Sequence, residues 1–243
     1  MARRAAIVTG ASSGIGFAVA RMLGQEGHAV TMAARRPDKL ETARQQLEHE
    51  GIDVQAVAGN LAEEEAIARV VAAHRERFQR LDVLVNNAGI GVGEGVAELT
   101  TKKVDIQLGL NLRSIILFYR DCAELLKAAG AEHRNALVVN TASVAGKQGE
   151  GWLSVYSATK FGVVGFTQAM NRELKDTGIK STALCPAFVD TPMTDFVKAH
   201  VPAESMIRSE DIAEAVRLLL RLSPGCVIPE LIFTAPGGNL GTA

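Results

Sequence analysis

The chain has 243 residues, of which 47% are hydrophobic and 22% charged, enough apolar mass for a substantial core and unlike the composition of a disordered chain. Its 26 basic side chains nearly balance 27 acidic ones, so no bulk positive field exists to hold a nucleic acid or an anionic membrane, whose binding draws on phosphate neutralisation. Polyanion binding is thereby excluded as the main task. The first apolar run, in "MARRAAIVTG", meets a Thr-Gly too early for a signal sequence, and the later runs are too short to span a bilayer. Cys122, Cys185 and Cys226 are far apart and form no CxxC pair, and the five histidines show no ligand spacing. Reduced thiols in a cytoplasmic protein without a metal are expected.

In chain order, "AAIVT" reads as a strand and "GFAVARMLGQEG" as a helix that Gly27 stops. The strand "AVTMAA" follows, then the helix "PDKLETARQQLEHEG" with Pro37 in its first turn, the strand "VQAVA", and the helix "EEEAIARVVAAHRERF" with acids at its N-terminal end. Next come the strand "DVLVN", a long helix from about Thr100 to Ala129, the strand "ALVVNTA", a helix from about Leu153 to Thr177, and the strand "KSTALC". A loop with short helical pieces, the helix "EDIAEAVRLLLRL" and the strand "VIPELIF" finish the pattern. Unbroken apolar strands alternating with helices predict a parallel sheet covered on both faces, because right-handed crossovers put helices there. We therefore expect a three-layer, doubly wound α/β fold of Rossmann type, with residues 1–243 as a single domain; no linker, charge block or repeat divides the chain. The Gly-rich tail "PGGNLGTA" is expected to be mobile unless a partner subunit holds it.

Between the first strand and helix lies "TGASSGIG", where Gly10, Gly14 and Gly16 permit a tight turn and close approach of backbone to a ligand. The helix N-terminus then offers free N–H groups to a pyrophosphate, which makes Gly10, Ser12, Ser13, Gly14, Ile15 and Gly16 candidate cofactor contacts. The spacing is Gly-x-x-x-Gly-x-Gly rather than GxGxxG. Dinucleotide folds that prefer NAD place an acid after the second strand for the ribose 2′-hydroxyl, but this chain reads "AARRP" with Ala34 in that place. Arg35 and Arg36 suit a 2′-phosphate instead, and NADP(H) is the expected cofactor in preference to NAD(H). In "YSATK", Tyr156 and Lys160 share a helix face at i and i+4. An ammonium beside the phenol would bring its proton, ordinarily lost near pH of about 10, within use as acid or base closer to neutrality.

Taken in order, "TGASSGIG", "NNAG" and "YSATK" resemble the motifs of the short-chain dehydrogenase/reductase family, and the likeness covers nearly the whole chain. It implies a catalytic tetrad of Asn111, Ser143, Tyr156 and Lys160. Ser143 stands thirteen residues before Tyr156, the family's usual interval, and follows a strand at the ligand-binding edge of such sheets. By the same resemblance Tyr156 exchanges a proton with a carbonyl or alcohol oxygen that Ser143 orients, Lys160 holds the nicotinamide ribose, and Asn111 fixes a water linking the lysine to solvent. Asn60 and Leu61 are implied beside the adenine, Asn87, Ala88 and Gly89 near its ribose, and Val189 and Thr191 at the carboxamide.

Two departures from the family stand out. Asn60 replaces a common aspartate, and Ala187 in "CPAFVDTPM" replaces a common glycine, where a glycine-only conformation would bring strain. The substrate pocket is expected between "GIGVGEGV", "AGKQGEGWLSV" and residues 191–206, whose Phe196, Val197, Val201 and Met206 could cover a hydrophobic carbonyl compound or simply pack the lid. The expected activity is hydride transfer between NADP(H) and a small-molecule carbonyl or secondary alcohol; a 3-oxoacyl thioester reductase and a non-catalytic NADP-binding sensor are the alternatives. Family resemblance also implies a homotetramer or homodimer formed through the two long helices.

Overall fold

A computed structural model describes residues 3–236; the tail beyond Pro236, expected to be mobile, lies outside the described residues. The strands are β1 (Ala5–Thr9), β2 (Ala29–Ala34), β3 (Val54–Ala58), β4 (Val83–Asn86), β5 (Ala136–Thr141), β6 (Ile179–Pro186) and β7 (Glu230–Phe233). The helices are α1 (Gly14–Gln25), α2 (Pro37–His49), α3 (Glu64–Phe78), α4 (Thr101–Leu108), α5 (Ser114–His133), α6 (Ser154–Glu173) and α7 (Ser209–Arg221). One parallel sheet holds all seven strands of the described residues, in the order β3-β2-β1-β4-β5-β6-β7. The order reverses between β1 and β4, and a crevice opens there at the carboxyl ends of the strands.

Alternation along each strand divides the core. Ala6, Val8, Val83 and Val85 face a layer built from α1, α2 and α7, whereas Ile7 and Leu84 face α3, α5 and α6. Because each inner strand is apolar on both faces, it can sit only between two helical layers. Local chemistry sets the helix ends. Pro37 opens α2 with its fixed φ, the Thr100 side chain accepts from Lys103 N–H at 3.3 Å to start α4, and the Asp211 carboxylate accepts from Arg208 N–H at 3.0 Å to start α7.

The helix expected from about Thr100 to Ala129 runs on to His133 and is interrupted by a π-helical turn at Gly109–Arg113. A wider turn of this kind leaves no trace in a pattern of apolar spacing. Pro229 has no N–H to give, and β7 accordingly starts one residue later, with Pro229 O accepting from Ala183 N–H at 3.0 Å.

Behind the sheet, His74 of α3 is fully buried. Its Nε2 lies 2.8 Å from the Arg80 carbonyl, which can only accept, so Nδ1 is the bare nitrogen and accepts from the Thr31 hydroxyl at 2.7 Å. Burial holds this imidazole down at about 4. An unfolded histidine titrates near 6.5, so as pH falls from there towards 4 the unfolded chain gains a proton that the folded chain refuses, and stability drops. Between pH 7 and 4.5, urea denaturation of the wild type is expected to show roughly 2–3 kcal/mol more loss of stability than His74→Gln shows. Identical pH dependence in the two proteins would refute this.

Candidate active site

Three strand ends meet at the crevice and are tied by hydroxyls. Thr9 Oγ1 accepts from Asn87 N–H at 2.9 Å and from Ala88 N–H at 3.0 Å, while donating to Val85 O at 3.3 Å. That uses its whole hydrogen-bonding capacity. Thr141 Oγ1 then donates to the Asn87 side-chain oxygen at 3.2 Å, and Asn87 Nδ2 donates to Thr9 O at 3.2 Å. The "NNAG" turn is thus clamped between β1 and β5, which holds Asn87, Ala88 and Gly89 at the mouth of the crevice. Neither Thr9 nor Thr141 was among the expected site residues; a hydroxyl at the last position of each strand was the available signal.

The glycine turn packs against this clamp. Gly10 and Gly14 have φ of +67° and +55°, a region that disfavours side chains. A Cβ on Gly16 would collide with Gly10 O and stand 2.7 Å from Asn87 Nδ2. α1 therefore begins against the backbone of the turn. Ser13 at its N-cap makes no side-chain cap bond, and the first turn carries no acid, leaving its N–H groups and positive end open to an anion. Ser12 and Ile15 sit in the same turn, partly buried. Across from it, a Cβ on Gly14 would stand 2.8 Å from Thr191 Cγ2, so the segment after β6 closes over the turn.

Arg35 and Arg36 follow β2, both exposed. Among the described residues neither guanidinium has a hydrogen bond or ion pair, which leaves both available to a phosphate. Asn60 is exposed and engaged locally, Nδ2 donating to Glu63 Oε1 at 2.9 Å and Oδ1 accepting from Ala62 N–H at 3.3 Å. The Leu61 side chain is buried in the α3 layer and is not free to meet a ligand.

The four expected catalytic residues converge beside the "NNAG" turn. Lys160 is buried on α6, its Nζ donating to Thr141 O at 2.7 Å and lying 5.4 Å from the centre of the Tyr156 ring. Asn111, fully buried in the π-helical turn, donates from Nδ2 to Ile90 O and accepts at Oδ1 from Ile90 N–H, both at 2.8 Å; Nδ2 also reaches Thr159 Oγ1 at 3.3 Å. The amide is therefore a brace for the segment after "NNAG". A Cβ placed on Gly89 would stand 3.3 Å from Asn111 Oδ1 and 3.7 Å from Lys160 Nζ, which locates both side chains at that residue. Ser143 is buried; its Oγ accepts from Ala145 N–H at 3.2 Å and donates to Pro186 O at 3.4 Å.

The electrostatics correct one expectation. The Tyr156 phenol is raised above its ordinary value, because burial penalises the anion more than its hydrogen bond with Ser143 favours it. Lys160 is brought down to about 8 by the same burial. Burial, opposed only by the Ser143 hydrogen bond, sets the direction in place of the lowering anticipated from Lys160, so at neutral pH Tyr156 holds its proton and is poised to donate.

Ala187 also departs from expectation. Among the described residues, the non-glycine positions with positive φ are Gln79, Arg134 and Trp152, and Ala187 is not one of them. Its N–H donates to Phe233 O at 2.9 Å, tying it to β7. The substitution of alanine for glycine brings no left-handed strain. Beyond it, Val189 is buried and bridged to Ile207, so residues 190–206, the segment expected as a lid, leave and return at one place as a loop. Lys198 joins this lid to itself, 2.8 Å from Asp190 Oδ1 and 2.7 Å from Asp195 Oδ1. Phe196 is 63% exposed, whereas Met206 is buried, so of the apolar lid residues Met206 packs and Phe196 stands free.

Among the described residues, no group of three His, Cys, Asp or Glu side chains could hold a metal ion, and no helix is long and apolar enough to cross a membrane. Cys122 and Cys185 are buried free thiols, and Cys226 is exposed.

The short chain dehydrogenase family model matches residues 4–202. A Streptomyces coelicolor protein with the provisional name ketoacyl reductase is 42% identical over 255 residues, which span 96% of this chain and 97% of that protein. Among solved structures, a single-substitution variant of actinorhodin polyketide ketoreductase with NADPH is 35% identical with a TM-score of 0.88, covering 98% of this chain and all of that one. The 3-ketoacyl-(acyl-carrier-protein) reductase of Brucella melitensis, complexed with NADH, is 28% identical with a TM-score of 0.86, covering 94% of this chain and 96% of that one.

Proposed function

Since the chain belongs to the short chain dehydrogenase family, we propose that it is an NADP(H)-dependent reductase of carbonyl compounds, with residues 1–243 acting as one dinucleotide-binding and catalytic domain. The observation that carries this reading is the convergence of Ser143, Tyr156 and Lys160 beside an open helix N-terminus, with Tyr156 holding its proton. A cofactor fits on three counts: α1 begins uncapped, the glycine turn approaches closely, and two arginines after β2 are without partners among the described residues.

Each role follows from the chemistry of the group. The α1 N-terminus with Gly10, Ser12, Ser13, Gly14, Ile15 and Gly16 would hold the pyrophosphate, and Arg35 and Arg36 the 2′-phosphate. Asn60, the Leu61 backbone and Asn87 to Gly89 would border the adenosine, and Val189 and Thr191 the carboxamide. When bound, NADPH supplies the hydride. Tyr156 gives its phenolic proton to the carbonyl oxygen, and Ser143 Oγ–H donates a hydrogen bond to that oxygen as negative charge grows on it. Lys160 stabilises the phenolate left behind and binds ribose hydroxyls. Asn111 acts as a positioning residue, fixing Ile90 and with it the wall of the cleft; whatever water links Lys160 to solvent must use capacity that Ile90 and Thr159 leave free.

Reduction of a 3-oxoacyl thioester is the second reading, favoured by relatives that carry the name ketoacyl reductase. A sensor without turnover would have no use for the buried phenol, hydroxyl and amine together. Purified protein with NADPH and a panel of ketones, aldehydes and 3-oxoacyl thioesters, followed by loss of cofactor absorbance, tests the proposal. Consumption with any carbonyl supports a reductase, and consumption confined to thioesters selects the second reading. Cofactor binding without consumption across the panel would sustain the sensor and sink both.

We assign the protein to the cytoplasm, a reading supported by its three free thiols. A homotetramer or homodimer is supported by apolar side chains left exposed on the helices of one face, namely Leu108, Ile116 and Phe161. Light scattering should return a mass of at least two chains; a monomer would refute the assembly.

A further inference from the structure

The chain has one tryptophan, and Trp152 is held in a way that packing alone does not require. Its φ is +66°, in the left-handed region that bulky residues avoid. Both sides of it are tied: Leu153 N–H donates to Glu150 O at 3.2 Å, and Glu150 N–H donates to Ser157 Oγ at 3.1 Å on α6. The Trp152 carbonyl accepts from Glu94 N–H at 2.8 Å, joining this loop to the opposite wall of the cleft. On that wall the indole lies against Gly93 so closely that a Cβ there would collide with its six-membered ring. Yet the side chain remains 60% exposed.

The wall that receives the indole is braced from α4. Val92 N–H donates to Gln107 Oε1 at 3.2 Å, with Gln107 fully buried, and Glu94 pairs with Lys103 at 2.5 Å. Two residues before Gly93, a Cβ on Gly91 would stand 3.9 Å from Cδ2 and Cε2 of Tyr156. Gly91 to Gly93 spans at most about 7 Å of backbone. One short stretch of chain thus backs the phenol at one end and seats the indole at the other.

We propose that Trp152, seated on Gly93, is a specificity-determining residue: its open face stacks on the flat body of the substrate whose carbonyl meets Tyr156. The site then selects ring-bearing or conjugated ketones over small aliphatic ones. An indole presents a large, rigid apolar surface at little entropic cost, and it favours planar partners. The inference rests on the reductase reading and adds a substrate class to it.

Two measurements separate the inference from that reading. In steady-state kinetics with NADPH, Trp152→Ala is expected to raise KM for 1-tetralone at least about tenfold, with kcat and the KM for ethyl acetoacetate each within about threefold; Trp152→Phe should restore most of the loss. Equal effects on the two ketones, or none, would overturn the inference and leave the reductase intact. Independently of turnover, the single indole N–H resonance of the NADP-loaded wild type should shift saturably on addition of 1-tetralone and not of ethyl acetoacetate. A shift without turnover of either ketone would keep the stacking site and count against the reductase; absence of any shift would overturn the stacking site.

Discussion

Replacing Tyr156 with phenylalanine is expected to lower kcat by at least about a hundredfold while leaving NADPH affinity within about threefold. The ring remains and only the proton donor is lost, so the packing against Gly91 and α6 survives. Ser143 would still reach the carbonyl oxygen, and residual activity from that hydrogen bond and from orientation is expected rather than none. Fluorescence titration with NADPH beside steady-state kinetics separates the two effects. Turnover close to that of the wild type would remove Tyr156 from its assigned role.

The second large effect concerns the cofactor. Arg35→Asp with Arg36→Asp is expected to weaken NADPH binding by roughly tenfold for each arginine, the lower end for charge-assisted hydrogen bonds because both side chains are exposed and screened. NADH binding should stay within about threefold, since a ribose 2′-hydroxyl carries no charge to lose and a carboxylate near it can accept a hydrogen bond from it. The Brucella melitensis relative was solved with NADH, which makes the choice a matter for this chain's own residues. Equal loss of NADPH and NADH, or loss of neither, would refute the assignment of the arginines to the 2′-phosphate.

Much of the scaffold was readable because short-range patterns decide it. β1, β2 and β3 lie where their apolar runs lie, "AAIVT", "AVTMAA" and "VQAVA", and Pro37 opens α2. What escaped depends on contacts between distant segments. Nothing in the spacing from Thr100 onward marks the π-helical turn that aims Asn111 at Ile90, since that geometry answers to a partner twenty-one residues away. The rise in the Tyr156 phenol escapes the pattern for a related reason: i and i+4 places Lys160 nearby, but the desolvation that sets the direction depends on how deeply the helix is buried.

At the site, motifs located the groups with chemistry but not those that hold them. Thr9 and Thr141 clamp the "NNAG" turn, and the hydroxyl that ends each strand was the one signal of them in the sequence. Ala187 looked like a defect only because glycine is usual there; its backbone needs no positive φ. Trp152 is conspicuous as the one tryptophan, but its seat on Gly93 exists only once two loops are brought together across the cleft.

Hydride delivery to a carbonyl carbon can be observed without reference to any mutant. Incubation of the purified protein with NADPH deuterated at the transferring position and a ketone that it consumes, followed by mass spectrometry and NMR of the product, should yield an alcohol with one deuterium on the former carbonyl carbon and an exchangeable proton on oxygen. Alcohol without the label at that carbon, or no alcohol with any carbonyl tested, would contradict the assignment of this crevice as a reductase site.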